Sequence, residues 1–287
     1  MYYFLSLLSG ILIAIMILVN GGLAEVYSLH WATVFIHIIG LILIILILLV
    51  KREDPFTNRQ RWFFYLGGAI GVLNVVSANV AFGRISVSAI LALGLLGQSV
   101  AGLIIDHFGI WGLPKHRMSR GNLVGLVIIL IGVVPMLTSF EIVAVLMSFA
   151  GGVGVVLNRT FNAKLAEVTT IGTSTFYNYI VGLLVALPIF WFFGREDARF
   201  CFAFASSWYL YTGGLLGVVL ILMSNVLVLK IAAFYLTLLI FIGQVFTGIL
   251  IDAVLDGAFS PQIFLGGILV AAGLGANLLM DRKRRST

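Results

Sequence analysis

Ten apolar runs fill this chain, at about residues 3–24, 30–50, 63–82, 86–105, 121–138, 143–164, 170–193, 208–229, 231–251 and 263–280. No other feature restricts the fold as strongly, because about 20 apolar residues is the length at which a helix crosses a bilayer. In lipid every backbone polar group must be satisfied within the segment, and a run of this length does so as a helix. Composition agrees: 61% of the 287 residues are hydrophobic and 10% are charged, against roughly 25% charged in a soluble domain. The mean hydropathy is +1.16. Ten spans use about 200 residues, which leaves short connections and a tail but no soluble catalytic domain. Kinases, nucleases and soluble receptors are thereby excluded, and the sequence predicts an all-α integral membrane protein. The first run begins almost at Met1 without a basic leader or a small-x-small cleavage site, so it reads as a retained span. The single cysteine, Cys201, excludes an internal disulfide and a cysteine-rich metal site.

Charges fall in the breaks between runs, for instance Lys51-Arg52-Glu53-Asp54-Pro55 and Gly194-Arg195-Glu196-Asp197. The narrow breaks at Arg84 and Lys230 imply tight helical hairpins. When the 17 Lys and Arg are assigned to sides, 14 fall on one side and Arg84, Arg195 and Arg199 on the other. By the positive-inside rule both termini are cytoplasmic. The net charge of +6 is therefore a mark of membrane topology and not of nucleic-acid binding.

The chain also repeats itself. A shift of 146 places Gly67-Gly68-x-x-Gly71 on Gly213-Gly214-x-x-Gly217, Asn79 on Asn225, Gly97-Gln98 on Gly243-Gln244, and Asp106 on Asp252. Over residues 67–106 and 213–252 there are 13 identities in 40 positions, and several are rare polar residues that apolar composition alone cannot align. A shift of 142 aligns Leu23-Ala24-Glu25-Val26 with Leu165-Ala166-Glu167-Val168, and Asn20 with Asn162. The reading is two five-span units, 1–140 and 141–287, the second ending in a short basic tail. Five is odd, so the second unit crosses the membrane in the opposite sense. Inverted repeats of this kind place a central site at the repeat interface and allow two interconvertible arrangements, which is the geometry of alternating access.

The run Asn162-Ala163-Lys164-Leu165-Ala166, the segments Gly97-Gln98 to Asp106-His107-Phe108-Gly109 and Gly243-Gln244 to Asp252, and Gly125-x6-Gly132 carry a resemblance. Over essentially its whole length the chain resembles the drug/metabolite transporter superfamily, in particular its YdcZ-like branch, as a fused pair of five-span halves. The resemblance implies a small-molecule exporter or exchanger of the bacterial inner membrane and names no substrate. In small multidrug-resistance relatives the first helix carries a central glutamate for cation and proton; residues 4–20 here contain no acid.

Polar groups within spans carry the remaining information, since an unpaired one in hydrocarbon is costly. Gln98, Gly102 and Asp106 form one helical stripe, repeated by Gln244, Gly248 and Asp252. The glutamines either face a central cavity or bond a neighbouring helix, and the aspartates read as gates or caps at helix ends. Gly67/Gly71 and Gly213/Gly217 are helix-packing pairs. Asn74, Asn79 and Asn225 follow them, either as interhelical partners or as pocket lining. Arg159 is the most informative residue. The repeat aligns it with Ile17, eight residues before the helix-ending Glu25, so it should lie about 12 Å inside the Glu167 end. Neither Arg159 nor its neighbour Asn158 has a polar counterpart in the first half. The expected substrate-binding set is Arg159, Asn158, Gln98, Gln244, Asn20, Asn162 and Asn74. Arg159 either binds an anionic group or pairs with an acid. Glu25, Glu167 and His37 are the candidates for proton exchange.

No Walker, HExxH or serine–histidine pattern occurs in the chain, so the expectation is no enzyme, cofactor or metal. A secondary transporter of a small polar metabolite, coupled to protons, is the leading expectation. The alternatives are a membrane-embedded enzyme of lipid-group transfer, for which only His107, Lys115, His116 and Arg117 come near, and a non-transporting scaffold. Expected partners are the substrate, the bilayer and a proton, with the protein a monomer or a homodimer.

Overall fold

The structure is a computed structural model. It describes all residues except 58–59, 111–119, 138–140, 195–206, 231–232, 256, 258–260, 262–263, 274 and 276–287. Among the described residues the chain is helical without strands: α1 (Tyr2–Tyr27), α2 (Leu29–Lys51), α3 (Leu66–Ala81), α4 (Val87–Phe108), α5 (Arg120–Val133), α6 (Ile142–Val168), α7 (Ile171–Ile189), α8 (Gly213–Lys230), α9 (Ala233–Leu255) and α10 (Phe264–Gly273). These helices coincide with the ten apolar runs, and the protein is an all-α membrane protein.

Short polar signals set the helix starts. The Ser28 hydroxyl accepts from Trp31 N at 3.4 Å, Thr170 Oγ1 from Thr173 N at 3.0 Å, and Ser86 Oγ from Ala89 N at 3.2 Å. Each satisfies one of the N–H groups a helix start leaves open. Ser28 and Thr170 occupy matched positions of the two repeats. The α3–α4 hairpin turns through Gly83 at φ +74, a left-handed conformation that a side chain would strain. Within spans the hydroxyls bond their own helix: Ser9 to Leu5 O, Thr33 to Leu29 O and Thr175 to Ile171 O, all at 2.8 Å. Each of these hydroxyls is thereby satisfied within its own segment.

Helices in lipid associate through close packing of small residues more than through hydrophobic driving force. A Cβ on Gly10 would fall on the α9 backbone at Ile240, Gly243 and Gln244, and one on Gly152 would fall on the α4 backbone at Gly94. Gly10 and Gly152 are matched positions. Likewise Gly68 packs on the α7 backbone at Asn178 and Gly182, and Gly214 on the α2 backbone at Ile36 and Gly40. Asn162 Oδ1 lies over Gly67 while Asn20 Oδ1 lies over Gly213. Each of these glycine contacts is answered by its counterpart, as a two-fold relation requires.

The direction of that relation follows from α2 and α7, which are themselves counterparts. Glu53, just past α2, bonds Thr170, just before α7, at 2.9 Å. At the opposite ends of the pair the rings of Trp31 and Phe190 are 4.2 Å apart. The two counterparts run antiparallel, so the halves are inverted about an axis that crosses these helices. The outer faces of the helices present large apolar side chains such as Leu46, Leu184 and Leu250. Exposed Trp62, Trp191 and Trp208 sit near span ends, where indoles favour the membrane interface.

Candidate functional site

Where the inverted halves meet they enclose a cavity of about 400 Å³, walled by α1, α2, α3, α4, α6, α7, α8 and α9. All seven residues expected to bind substrate line it: Arg159, Asn158, Gln98, Gln244, Asn20, Asn162 and Asn74. His37 and Glu167 line it as well, and Glu25 does not.

Arg159 lies about 13 Å inside the end of α6 at Val168 by helical rise. Its side chain is exposed, and the surface it exposes is cavity wall. Nη1 donates to Gln98 Oε1 at 3.4 Å, a long hydrogen bond to a neutral acceptor. Among the described residues it makes no ion pair; the ion pair found there is Lys164 with Glu167, at 3.7 Å. A guanidinium carries five N–H donors, so most of this fork is open to the cavity.

Beside it stands a cluster of amides. Asn158 Nδ2 donates to Gly67 O at 2.7 Å and to Asn178 Oδ1 at 2.9 Å. Asn162 Nδ2 donates to Asn158 Oδ1 and to Asn178 Oδ1, each at 3.0 Å. The Ser174 hydroxyl donates to the Asn162 carbonyl at 2.7 Å. This cluster ties α3, α6 and α7 together, and the Asn158 amide uses both its oxygen and its nitrogen in doing so. Asn20 and Asn74 differ: the side-chain oxygen of each is buried without a hydrogen-bond partner.

On the axis, His37 and Tyr179 are counterparts with ring centroids 5.9 Å apart. His37 Nδ1 lies 2.8 Å from Thr33 O, and Tyr179 Oη donates to Gly214 O at 3.3 Å. A Cβ on Gly182 would meet the His37 ring and one on Gly40 the Tyr179 ring, so the two small residues make room for the pair.

At one end the lining of the cavity reaches an exposed carboxylate, Glu167. It extends past Ala163 and Ala166 to Glu167 and Ile171. At the Glu25 end the corresponding path is filled: Tyr27 and Tyr211 share a hydrogen bond between their hydroxyls. Phe35 packs on both of these rings, at 5.1 and 6.1 Å, and Trp31 stacks on Phe35 at 5.5 Å. Glu25 is exposed beside Gly83.

Asp252 and Asn79 are not among the residues that line the cavity. Asp252 is buried and caps α4, accepting from Val87 N at 2.6 Å and Ser88 N at 2.9 Å. Asn79 is buried with its Nδ2 unpartnered. The side chains of Asp106 and Asn225 lie outside the described residues. Asn178, Tyr179 and the tyrosine pair were missed from sequence. The signal for two of them was present, since carrying the shift of 142 into α7 sets Asn178 against Ile36 and Tyr179 against His37.

No curated protein matches the chain. One solved crystal structure superposes with a TM-score of 0.68 over 98% of this chain and 98% of its own, at 17% identity, a likeness of fold alone. The family described as "Putative inner membrane exporter, YdcZ" matches twice, at residues 1–135 and at residues 143–279. Two tandem matches on two inverted halves leave little of the chain unassigned, and the chain belongs to the YdcZ family of the drug/metabolite transporters.

Proposed function

We propose that the chain is a secondary transporter, an exporter or exchanger, that moves a small polar metabolite with an anionic or zwitterionic head by alternating access. The observation that carries this reading is Arg159, a guanidinium inside the central cavity whose one hydrogen bond among the described residues is long and made to a neutral amide. A charged side chain at membrane depth costs about 2.5–3.5 kcal/mol on insertion scales. A bound anion offsets that cost, whereas a cation adds to it. Gln98 and Gln244 reach the same space from matched positions and, with Asn20 and Asn74, orient neutral groups of the ligand. Asn158 and Asn162 hold the wall in place.

Access on one side at a time is supported by the contrast between the Glu167 end, where the lining reaches an exposed carboxylate, and the filled Glu25 end. Exchanging the surroundings of the two halves converts one arrangement into the other. With both termini cytoplasmic, the Glu167 end is the inner one. Proton coupling falls to His37, which lines the same cavity as Arg159 and stands beside Tyr179 on the axis, with Glu167 and its partner Lys164 at the mouth.

The test begins with a thermal-shift screen of the purified protein over amines, amino acids, organic acids and nucleosides, followed by counterflow in proteoliposomes. Acids or amino acids stabilise the protein and are transported. Arg159→Lys retains part of the activity because the charge survives without the fork, and Arg159→Gln abolishes it with folding intact. Full transport by the Gln variant, or stabilisation by amines alone, overturns the reading. A scaffold gives no ligand-dependent stabilisation at all.

A further inference from the structure

The two walls of the cavity come from matched positions, yet they are chemically unlike. Where the wall from α3, α6 and α7 has Asn74, Asn158 and Asn178, the wall from α8, α1 and α2 has Leu220, Met16 and Ile36, and all six line the cavity. Arg159 stands opposite Ile17 in the same alignment. The skeleton is two-fold, but at these three positions one wall presents amides and the other a patch of aliphatic and thioether side chains, with Asn20, His37 and Gln244 at other places on that second wall. A metabolite polar over its whole surface would leave its far side against aliphatic side chains and lose its water there.

Charge narrows the class further. Arg159 supplies one positive charge, and the acid among the described lining residues is Glu167, which sits at the mouth and is paired to Lys164 at 3.7 Å. The ammonium of a zwitterion would therefore enter without a carboxylate to meet it. A doubly charged phosphate would keep one charge uncompensated. A volume of about 400 Å³ is near the small end of ligand pockets, about 300–1,000 Å³, which suits a small molecule and excludes a lipid.

We propose that the substrate is an amphipathic monocarboxylate, held at its carboxylate by Arg159 with Gln98, its apolar body crossing the axis to Met16, Ile36 and Leu220. This rests on the transporter reading above and makes its substrate class specific. Carboxylate recognition uses the open donors of the guanidinium fork, and the Gln98 amide nitrogen completes the head site. Affinity for the body is non-directional burial, which increases with each carbon until the apolar wall is covered.

The test is equilibrium binding by calorimetry on the full chain in lipid nanodiscs, with empty nanodiscs subtracted to remove partitioning. The probes are 4-methylpentanoate, acetate, leucine, 3-methylbutylamine and inorganic phosphate. Burial of a methylene strengthens binding about fourfold, so 4-methylpentanoate binds at least about 10-fold tighter than acetate. Leucine, with its added ammonium, binds at least about 10-fold more weakly than 4-methylpentanoate, consistent with an unpaired charge. The amine and phosphate do not compete. Arg159→Gln weakens 4-methylpentanoate at least about 30-fold, the scale for losing one partner of a desolvated charge pair. Leu220→Asn flattens the gain per methylene, and where that variant does not fold, the series from acetate to pentanoate on the unaltered protein carries the same test. Tighter binding of leucine or phosphate, lost in Arg159→Gln, or a flat chain-length series, overturns this inference and leaves the anion-carrying transporter standing. Binding of no anion, or anion binding indifferent to Arg159→Gln, removes both.

Discussion

At one end of the cavity Tyr27, Phe35 and Tyr211 close over the path; at the other, the matched positions hold Thr169, Tyr177 and Tyr65. One of the three contacts is reproduced, since Tyr65 and Tyr177 pack at 4.4 Å as Phe35 and Tyr211 do at 6.1 Å. The two that Tyr27 makes have no counterpart: the Thr169 hydroxyl turns back to Leu165 O at 2.6 Å on its own helix, where Tyr27 reaches Phe35 and Tyr211. Matched helices thus frame both ends, and the ends differ in the side chain at one position, Tyr27 at one and Thr169 at the other. The same division runs through the cavity walls. Glycine contacts define the shared skeleton, and the residues that distinguish the halves define the chemistry.

That comparison breaks most visibly at the glycines. Gly10→Val and Gly152→Val force a side chain into a facing backbone, at about 3 kcal/mol or more each, and both variants lose the folded peak in size-exclusion chromatography. If one is tolerated, the skeleton is not equivalent. The cavity comes next. Arg159→Gln reduces anion affinity about 30-fold or more, while Ile17→Gln at the counterpart position leaves affinity unchanged. Equal losses would mean that the walls are not differentiated. Asp252→Asn, which removes the charge from two short bonds to α4, lowers stability by about 1.5–3 kcal/mol, read as a fall in the thermal midpoint. The smallest effect concerns the ends. Tyr27→Phe removes one hydrogen bond, about 0.5–1.5 kcal/mol, and increases thiol labelling of Ala24→Cys about 2- to 10-fold in a Cys201→Ser background. Its counterpart Ala166→Cys, which lines the cavity, labels already in the parent protein; unchanged labelling at Ala24→Cys would show that the tyrosine pair does not hold that end.

Much of this was readable from the sequence, for identifiable reasons. Span number follows from run length, because the bilayer sets a length and the backbone must satisfy itself. The depth of Arg159 followed from its alignment with Ile17, since a repeat transfers register even where the side chains differ. The asparagine cluster was not readable in the same way. Asn158 and Asn162 are one turn apart on α6, but whether their amides face a ligand or Asn178 depends on how α6 and α7 rotate against each other. Glu25 and Glu167 are indistinguishable in sequence, and only the arrangement adopted puts one at the mouth and leaves the other off the cavity. Which arrangement a nearly symmetric fold adopts is set by small differences in contact energy, which no local pattern encodes.

The carboxylate that caps α4 belongs to the other half of the chain, 165 residues later than Val87. At a synthesis rate of about 5–20 residues per second, α4 is made some 8–33 s before Asp252 exists. For that interval the N–H groups at its start depend on Ser86 and whatever the insertion machinery provides. The cap on α4 is therefore completed only when α9 arrives. Separately expressed halves should accumulate only when made together, and pausing of ribosomes between the repeats should expose the first to membrane quality control.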